Sequence, residues 1–131
     1  MSAEVAKLLA QQRAQRESWC ELRPAGDGKP QLRVLLLRPL EGETHRFTRR
    51  PDQAYASLMH DLVSDYAVGW EGFSAAELLG PANGSSDPLP FASALWAAFS
   101  LDRSDWILAA FNHLVAAINA HNEAREAAAK N

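Results

Sequence analysis

Apolar residues fall into different rhythms along this chain, and each rhythm predicts a different element. Tyr55, Leu58, Met59, Leu62, Val63 and Tyr66 follow the i, i+3, i+4, i+7, i+8, i+11 series that puts one continuous stripe on a helix. Pro51 and Asp52 ahead of them are start signals, so "PDQAYASLMHDLVSDYAV" is predicted to be a helix with its stripe in the core. Residues 3–18 give a second helix, but its stripe holds only Val5, Leu8 and Leu9 before the same face meets Gln12 and Arg16. A face that narrow commits a helix only weakly to its own core, so this one frays or docks elsewhere, for instance on another subunit.

From Trp19 the period changes. "WCELRP" and "QLRVLLLRP", separated by the turn signals "AGDGKP", predict a β-hairpin, and Glu41-Gly42-Glu43 turns the chain into a third short strand, "THRFTRR". In the middle run Val34-Leu35-Leu36-Leu37 is continuous rather than alternating. That fits a strand covered on both faces, or one face on the core and one on a partner.

Residues 67–91, "AVGWEGFSAAELLGPANGSSDPLPF", look irregular yet retain Trp70, Phe73 and Phe91. Within them "SAAELL" is long enough for a turn or two of helix, and Asn83-Gly84 is a turn. Gly69 and Gly72 let the backbone turn while two rings are laid on the helices, and Pro88 and Pro90 stiffen the approach of Phe91. The segment is expected to be a strap pinned at both ends by its aromatic anchors Trp70, Phe73 and Phe91. Two helices close the chain. One starts near Pro90 and packs through Phe91, Leu95 and Phe99. The other starts at Asp102, with Leu101 and Trp106 as a staple and Asp102 and Asp105 on its first-turn amides. Its stripe, Ile107, Ala110, Phe111, Leu114, Val115 and Ile118, stops at Ala120, so "HNEAREAAAKN" should project or fray.

The expected fold is therefore α+β and mainly helical: an N-terminal helix, a small antiparallel hairpin or three-stranded sheet, and a three-helix core with a long aromatic-pinned loop. The 131 residues suit one domain, divided as an N-terminal helix (1–18), a hairpin region (19–50), a helical core (51–120) and a polar tail (121–131). Composition, 47% hydrophobic and 22% charged, is that of a globular chain, and no apolar run is long enough for a membrane span. The first residues lack a signal-peptide pattern, so a cytoplasmic location is expected. Cys20 stands alone, a small partly buried residue at a strand start.

Net charge is -3, but residues 29–50 carry Lys29, Arg33, Arg38, Arg46, Arg49 and Arg50 against Glu41 and Glu43, a local +4 that leaves -7 elsewhere. Pairing with acidic helices of the same molecule accounts for such a strip, and an acidic partner or phosphate is the competing reading. Binding to nucleic acid or membrane is not expected.

Recognisable chemistry is lacking. No nucleophile elbow, glycine-rich phosphate loop or H-E-x-x-H is present. His113 and His121 are eight apart, too far to share a metal by themselves, and His60 and Asp61, as helix neighbours, do not face each other. Neither catalytic residue, metal nor cofactor is expected. Trp19, Trp96 and Trp106 are assigned to core packing.

A helix ending in "VGWEGF", a turn-rich stretch with Asn-Gly, then "DPLPF", a helix and a polar Glu- and Lys-bearing end resembles the tail assembly chaperones of long-tailed bacteriophages and prophages. The matching residues are Val68, Gly69, Trp70, Gly72, Phe73, Asn83, Gly84, Leu89, Pro90 and Phe91, and more loosely the closing helices, about half the chain. "SAAELLGPA" lengthens the gap before Asn-Gly relative to the family, and the basic hairpin does not align. The resemblance implies a non-enzymatic factor of the host cytoplasm, absent from mature virions. It would bind the tape measure protein and hand it to polymerising tail tube protein, with self-association as an option and contact residues unassigned. It also implies a longer frameshifted form, for which Lys130-Asn131 is a candidate slippage dipeptide. The competing readings are a head-tail or tail adaptor retained in the virion and a small nucleic-acid-binding regulator.

Overall fold

The computed structural model describes residues 2–130. Helix α1 (Ala3–Arg16) runs into strand β1 (Glu17–Arg23), which turns back into β2 (Leu32–Leu37). A 3-10 helix (Glu41–Phe47) and helix α2 (Tyr55–Asp65) follow, then β3 (Ala67–Glu71), the short α3 (Ala75–Leu79), α4 (Ser93–Ser100) and the long α5 (Ser104–Ala129). The class is α+β. The sheet is antiparallel in the order β1-β2-β3, and Cys20, Val34 and Trp70 share one row while Trp19, Leu35 and Gly69 share the next.

That alternation defines two faces. The inner face carries Cys20, Leu32, Val34, Leu36 and Trp70 into a core completed by Leu58, Leu62 and Val63 of α2, Trp96 of α4, and Trp106, Ala110, Phe111 and Leu114 of α5. The outer face carries Trp19, Glu21, Arg33, Leu35 and Glu71. The continuous Val34–Leu37 run thus follows from a central strand that is apolar on both sides.

The third strand differs from expectation. "THRFTRR" was predicted to supply it, but residues 41–47 form a 3-10 helix, closed at its start by the Glu43 carboxylate accepting from the Leu40 amide at 2.9 Å. The place beside β2 goes to Ala67–Glu71, the opening of the segment read as irregular. Ala67 and Trp70 bury two inner-face positions, a gain the charged "THRFTRR" cannot match.

Helix ends also shift. Helix α1 stops at Arg16, because Glu17 and Ser18 pair with Leu37 and Leu36. Pro51 and Asp52 lie in a turn, α2 begins at Tyr55, and Tyr55 is exposed rather than in the core stripe. Phe91 precedes α4, which begins at Ser93. The N-cap of α5 is Arg103, not Asp102, and Leu101 points to solvent, so the predicted staple does not form; Asp105 does occupy the first turn. Beyond Ile118 the helix continues to Ala129 with exposed side chains. Glu41 accepts from His121 at 2.9 Å and from Arg125, which ties this stretch back to the 3-10 helix. Of the Lys130-Asn131 pair, Asn131 lies outside the described residues.

Candidate functional site

The strap residues form one aromatic stack. Trp70 descends from β3 and stacks on Phe73, centroids 4.3 Å apart, while Phe91 meets it edge-on at 5.4 Å. Phe73 in turn stands edge-on to Trp96 and Trp106, which stack on each other at 6.0 Å. The two ends of the strap are laced by hydrogen bonds. The Trp70 indole Nε1 donates to the Leu89 carbonyl at 2.8 Å, and the Leu89 amide donates to the Phe73 carbonyl at 2.9 Å. Trp96 Nε1 donates to Val63 O at 2.9 Å, so both of these buried indoles are satisfied.

Two glycines make the crossing possible. Gly72 has φ +90, and a Cβ there would stand 2.0 Å from the Gln31 carbonyl oxygen; one at Gly84 would stand 2.7 Å from Ala75. Only glycine fits such approaches. Arg23 of β1 adds a 2.6 Å salt bridge to Glu77 of α3, fastening the strap to the hairpin. A cleft of about 280 Å³ runs between hairpin loop and strap, lined mainly by backbone and small residues including Gly28, Pro30, Gly72 and Ser74. Lys29, Glu77 and Ser86 also line it; Glu77 is held by Arg23, and Ser74 by its cap bond to the Glu77 amide.

The basic segment is dispersed by the fold. Arg33 stands on the outer sheet face, where it pairs with Glu71 at 2.7 Å and lies over the Trp19 ring at 4.1 Å. Arg46 pairs with Asp65 and donates to the Tyr66 hydroxyl at 3.2 Å; those two bonds, Asp65 foremost, hold its guanidinium more firmly protonated than usual. Arg38 and Arg49 donate to the Pro39 and Gln53 carbonyls. A pocket of about 280 Å³ holds His45, Arg46, Arg50 and Gln53, but Asp61 shares its wall. Two of the six basic side chains of the strip, Arg33 and Arg46, are thus paired with carboxylates outside it.

One polar pair was not foreseen. Ser18 Oγ lies 2.7 Å from His113 Nε2, joining β1 to α5 across 95 residues. Burial holds His113 below its ordinary value of 6.5, which favours the uncharged ring in this contact. A nucleophile and base also need an orienting group and oxyanion donors, and among the described residues no side chain other than Ser18 hydrogen-bonds His113. The contact pins strand to helix. His60 Nε2 donates to the Ala97 carbonyl at 2.8 Å, bridging α2 and α4 rather than engaging Asp61. Burial, with Glu21 adding, pushes the Cys20 thiol up to about 11. It is an inert core group. Among the described residues, no group of three or more His, Cys, Asp or Glu side chains is placed to hold a metal, and no helix is long and apolar enough to cross a membrane.

What the molecule does present is unpartnered surface. No residue of α1 is buried; Val5, Leu8 and Leu9 are 46%, 55% and 51% exposed. Trp19 is not in the core, as had been expected, but 37% exposed on the outer sheet face. Strict alternation with Cys20 turned inward is the signal that places it there.

Compared with known protein families, curated proteins and solved structures, the chain matches none.

Proposed function

We propose that this protein is a tail assembly chaperone of a long-tailed phage or prophage: a non-enzymatic factor that binds the tape measure protein in the host cytoplasm and assists tail tube polymerisation. The observation that carries the reading is that the residues of the resemblance act on one another. Trp70, Phe73, Leu89 and Phe91 are bound through two hydrogen bonds and two ring contacts, with Gly72 and Gly84 at the close approaches that no other residue fits. The two hydrogen bonds and the Trp70–Phe91 contact close the segment on itself across 16 to 21 positions. They make a rigid frame from which α1 and the distal half of α5 extend, both solvent-exposed and both helical. Exposed helices on a rigid body suit the side-by-side recognition of partner helices.

Co-expression tests this directly. If a long helical open reading frame lies beside this gene, the protein should keep that product soluble on co-expression and co-purify with it. If the long protein stays insoluble and nothing co-purifies, the chaperone reading fails. Mass analysis of purified particles separates the runner-up, because a virion adaptor would be present at structural copy number and a chaperone would be missing.

A further inference from the structure

We propose that Asn83-Gly84 is a self-modification site, at which the Gly84 main-chain nitrogen attacks the Asn83 side chain and converts it to aspartate and isoaspartate. The bookkeeping of atoms needs only water. Gly84 N bonds to Asn83 Cγ and gives up its proton to solvent, while the Cγ–Nδ2 bond breaks and ammonia leaves, closing a five-membered imide. One water then opens the imide at either carbonyl. One opening returns an ordinary aspartyl residue, and the other routes the main chain through the side-chain carbon.

The fold supplies what the first step requires. Asn83 and Gly84 are exposed and lie in a bend outside every helix and strand. The amides on either side are committed, Asn83 N to Gly80 O at 3.0 Å and Ala76 N to Ser85 O at 2.9 Å, but among the described residues the Gly84 amide donates to no acceptor. Glycine also puts no side chain in the path of its own nitrogen. A Cβ at Gly84 would stand 2.7 Å from Ala75, so the packing that demands glycine here also installs the reactive neighbour. Asn112, Asn119 and Asn122 differ on each count. All three lie inside α5, where the following amides of His113, Ala120 and Glu123 are held in helical bonds.

Conversion has a structural consequence. Asn83 Nδ2 donates to the Leu79 carbonyl at 3.1 Å, satisfying one of the last carbonyls of α3, which have no intrahelical partner. A carboxylate has no donor to offer there. Isoaspartate adds a further change, lengthening the main chain by one atom where Gly84 lies against Ala75 and Ser85 accepts from Ala76. The α3 end of the strap therefore loosens, while the bonds of Leu89 to Trp70 and Phe73 lie outside the altered turn. This inference does not depend on the proposed function, since it concerns the purified protein alone.

Incubating the full chain in warm, mildly alkaline buffer tests it, with peptide mapping to find the gain of one mass unit and an isoaspartate-specific label to identify the product. Conversion at Asn83 should be at least about tenfold faster than at Asn112, Asn119 or Asn122, whose following amides are held in the helix, and Asn83→Gln should abolish it. The converted protein, separated by its extra negative charge, should exchange amides faster over residues 75–86 than the parent, with Asn83→Asp between the two because it loses the donor and keeps the chain length. An Asn83 that stays intact in the folded chain while a synthetic peptide of residues 78–88 converts would overturn the site. Conversion that leaves exchange over 75–86 unchanged would overturn the loosening.

Discussion

Replacing Trp70 with Ala removes the ring on which the strap closes. Trp70 is buried, stacks on Phe73, meets Phe91 at its edge and donates to the Leu89 carbonyl. Truncating a buried aromatic costs about 3 to 5 kcal/mol through lost transfer energy and the cavity left behind, and the unpaired Leu89 carbonyl adds to it. Against a total stability of about 5 to 15 kcal/mol, that is roughly a fifth of the fold or more. For a chain of this length each kcal/mol lowers Tm by roughly 3 to 5 °C, so the variant should melt about 10 to 20 °C below the parent. Two companions calibrate the cause. Trp70→Phe keeps a ring in the stack and loses only the indole donor, about 1 kcal/mol. Phe91→Ala removes a half-buried ring and should fall between, at about 2 kcal/mol. Urea titrations followed by circular dichroism measure all three. If Trp70→Ala and Phe91→Ala unfold with the parent while partner binding is lost, the strap is a recognition loop and the packing argument is wrong.

Gly72→Ala should destabilise by at least about 2 kcal/mol, from a left-handed backbone and a Cβ driven into the Gln31 carbonyl; a melt equal to the parent would show that the two segments separate freely. Duplex DNA should not bind at submicromolar concentration in physiological salt, because Arg33 and Arg46 are already paired with Glu71 and Asp65; tight binding abolished by changing Arg46, Arg49 and Arg50 to Ala would refute this. The distal part of α5 should loosen in acid. Bonding from His121, with Arg125 assisting, holds the Glu41 carboxyl below its ordinary 4.5, so the tether's contribution is full above that value and is lost as pH falls through the lower folded value. Amide relaxation over residues 119–129 should report the loosening, and Glu41→Gln should show it at neutral pH; amides unchanged in both cases would mean that the helix holds its course without the tether.

Periodicity carried most of the helical part of the fold. The stripes of α2 and α5 are long, and Leu58, Leu62, Val63, Ala110, Phe111 and Leu114 are buried where the 3.6-residue repeat puts them. The hairpin was equally legible, since "AGDGKP" separates two runs that can only turn back. The third strand was not. Ala67–Glu71 holds five residues, two of them small or glycine, and its pairing with β2 spans more than thirty positions; local sequence holds no record of a register set by a distant strand. The same limit hid Ser18 and His113, because a contact across 95 residues leaves no spacing to read.

The surface shows the opposite case, in which the sequence contained a signal whose meaning needed the fold. Val34-Leu35-Leu36-Leu37 demands cover on both faces of β2, and α1 has an apolar stripe too narrow for a core. Taken separately, these are a rich strand and a poor helix. The structure places Leu35 beside Trp19 on the solvent side and sends α1 away from the body without a loop. On that outer face Arg33 lies over the Trp19 ring and pairs with Glu71, so part of its apolar surface is covered by the stem of a charged side chain of the same sheet.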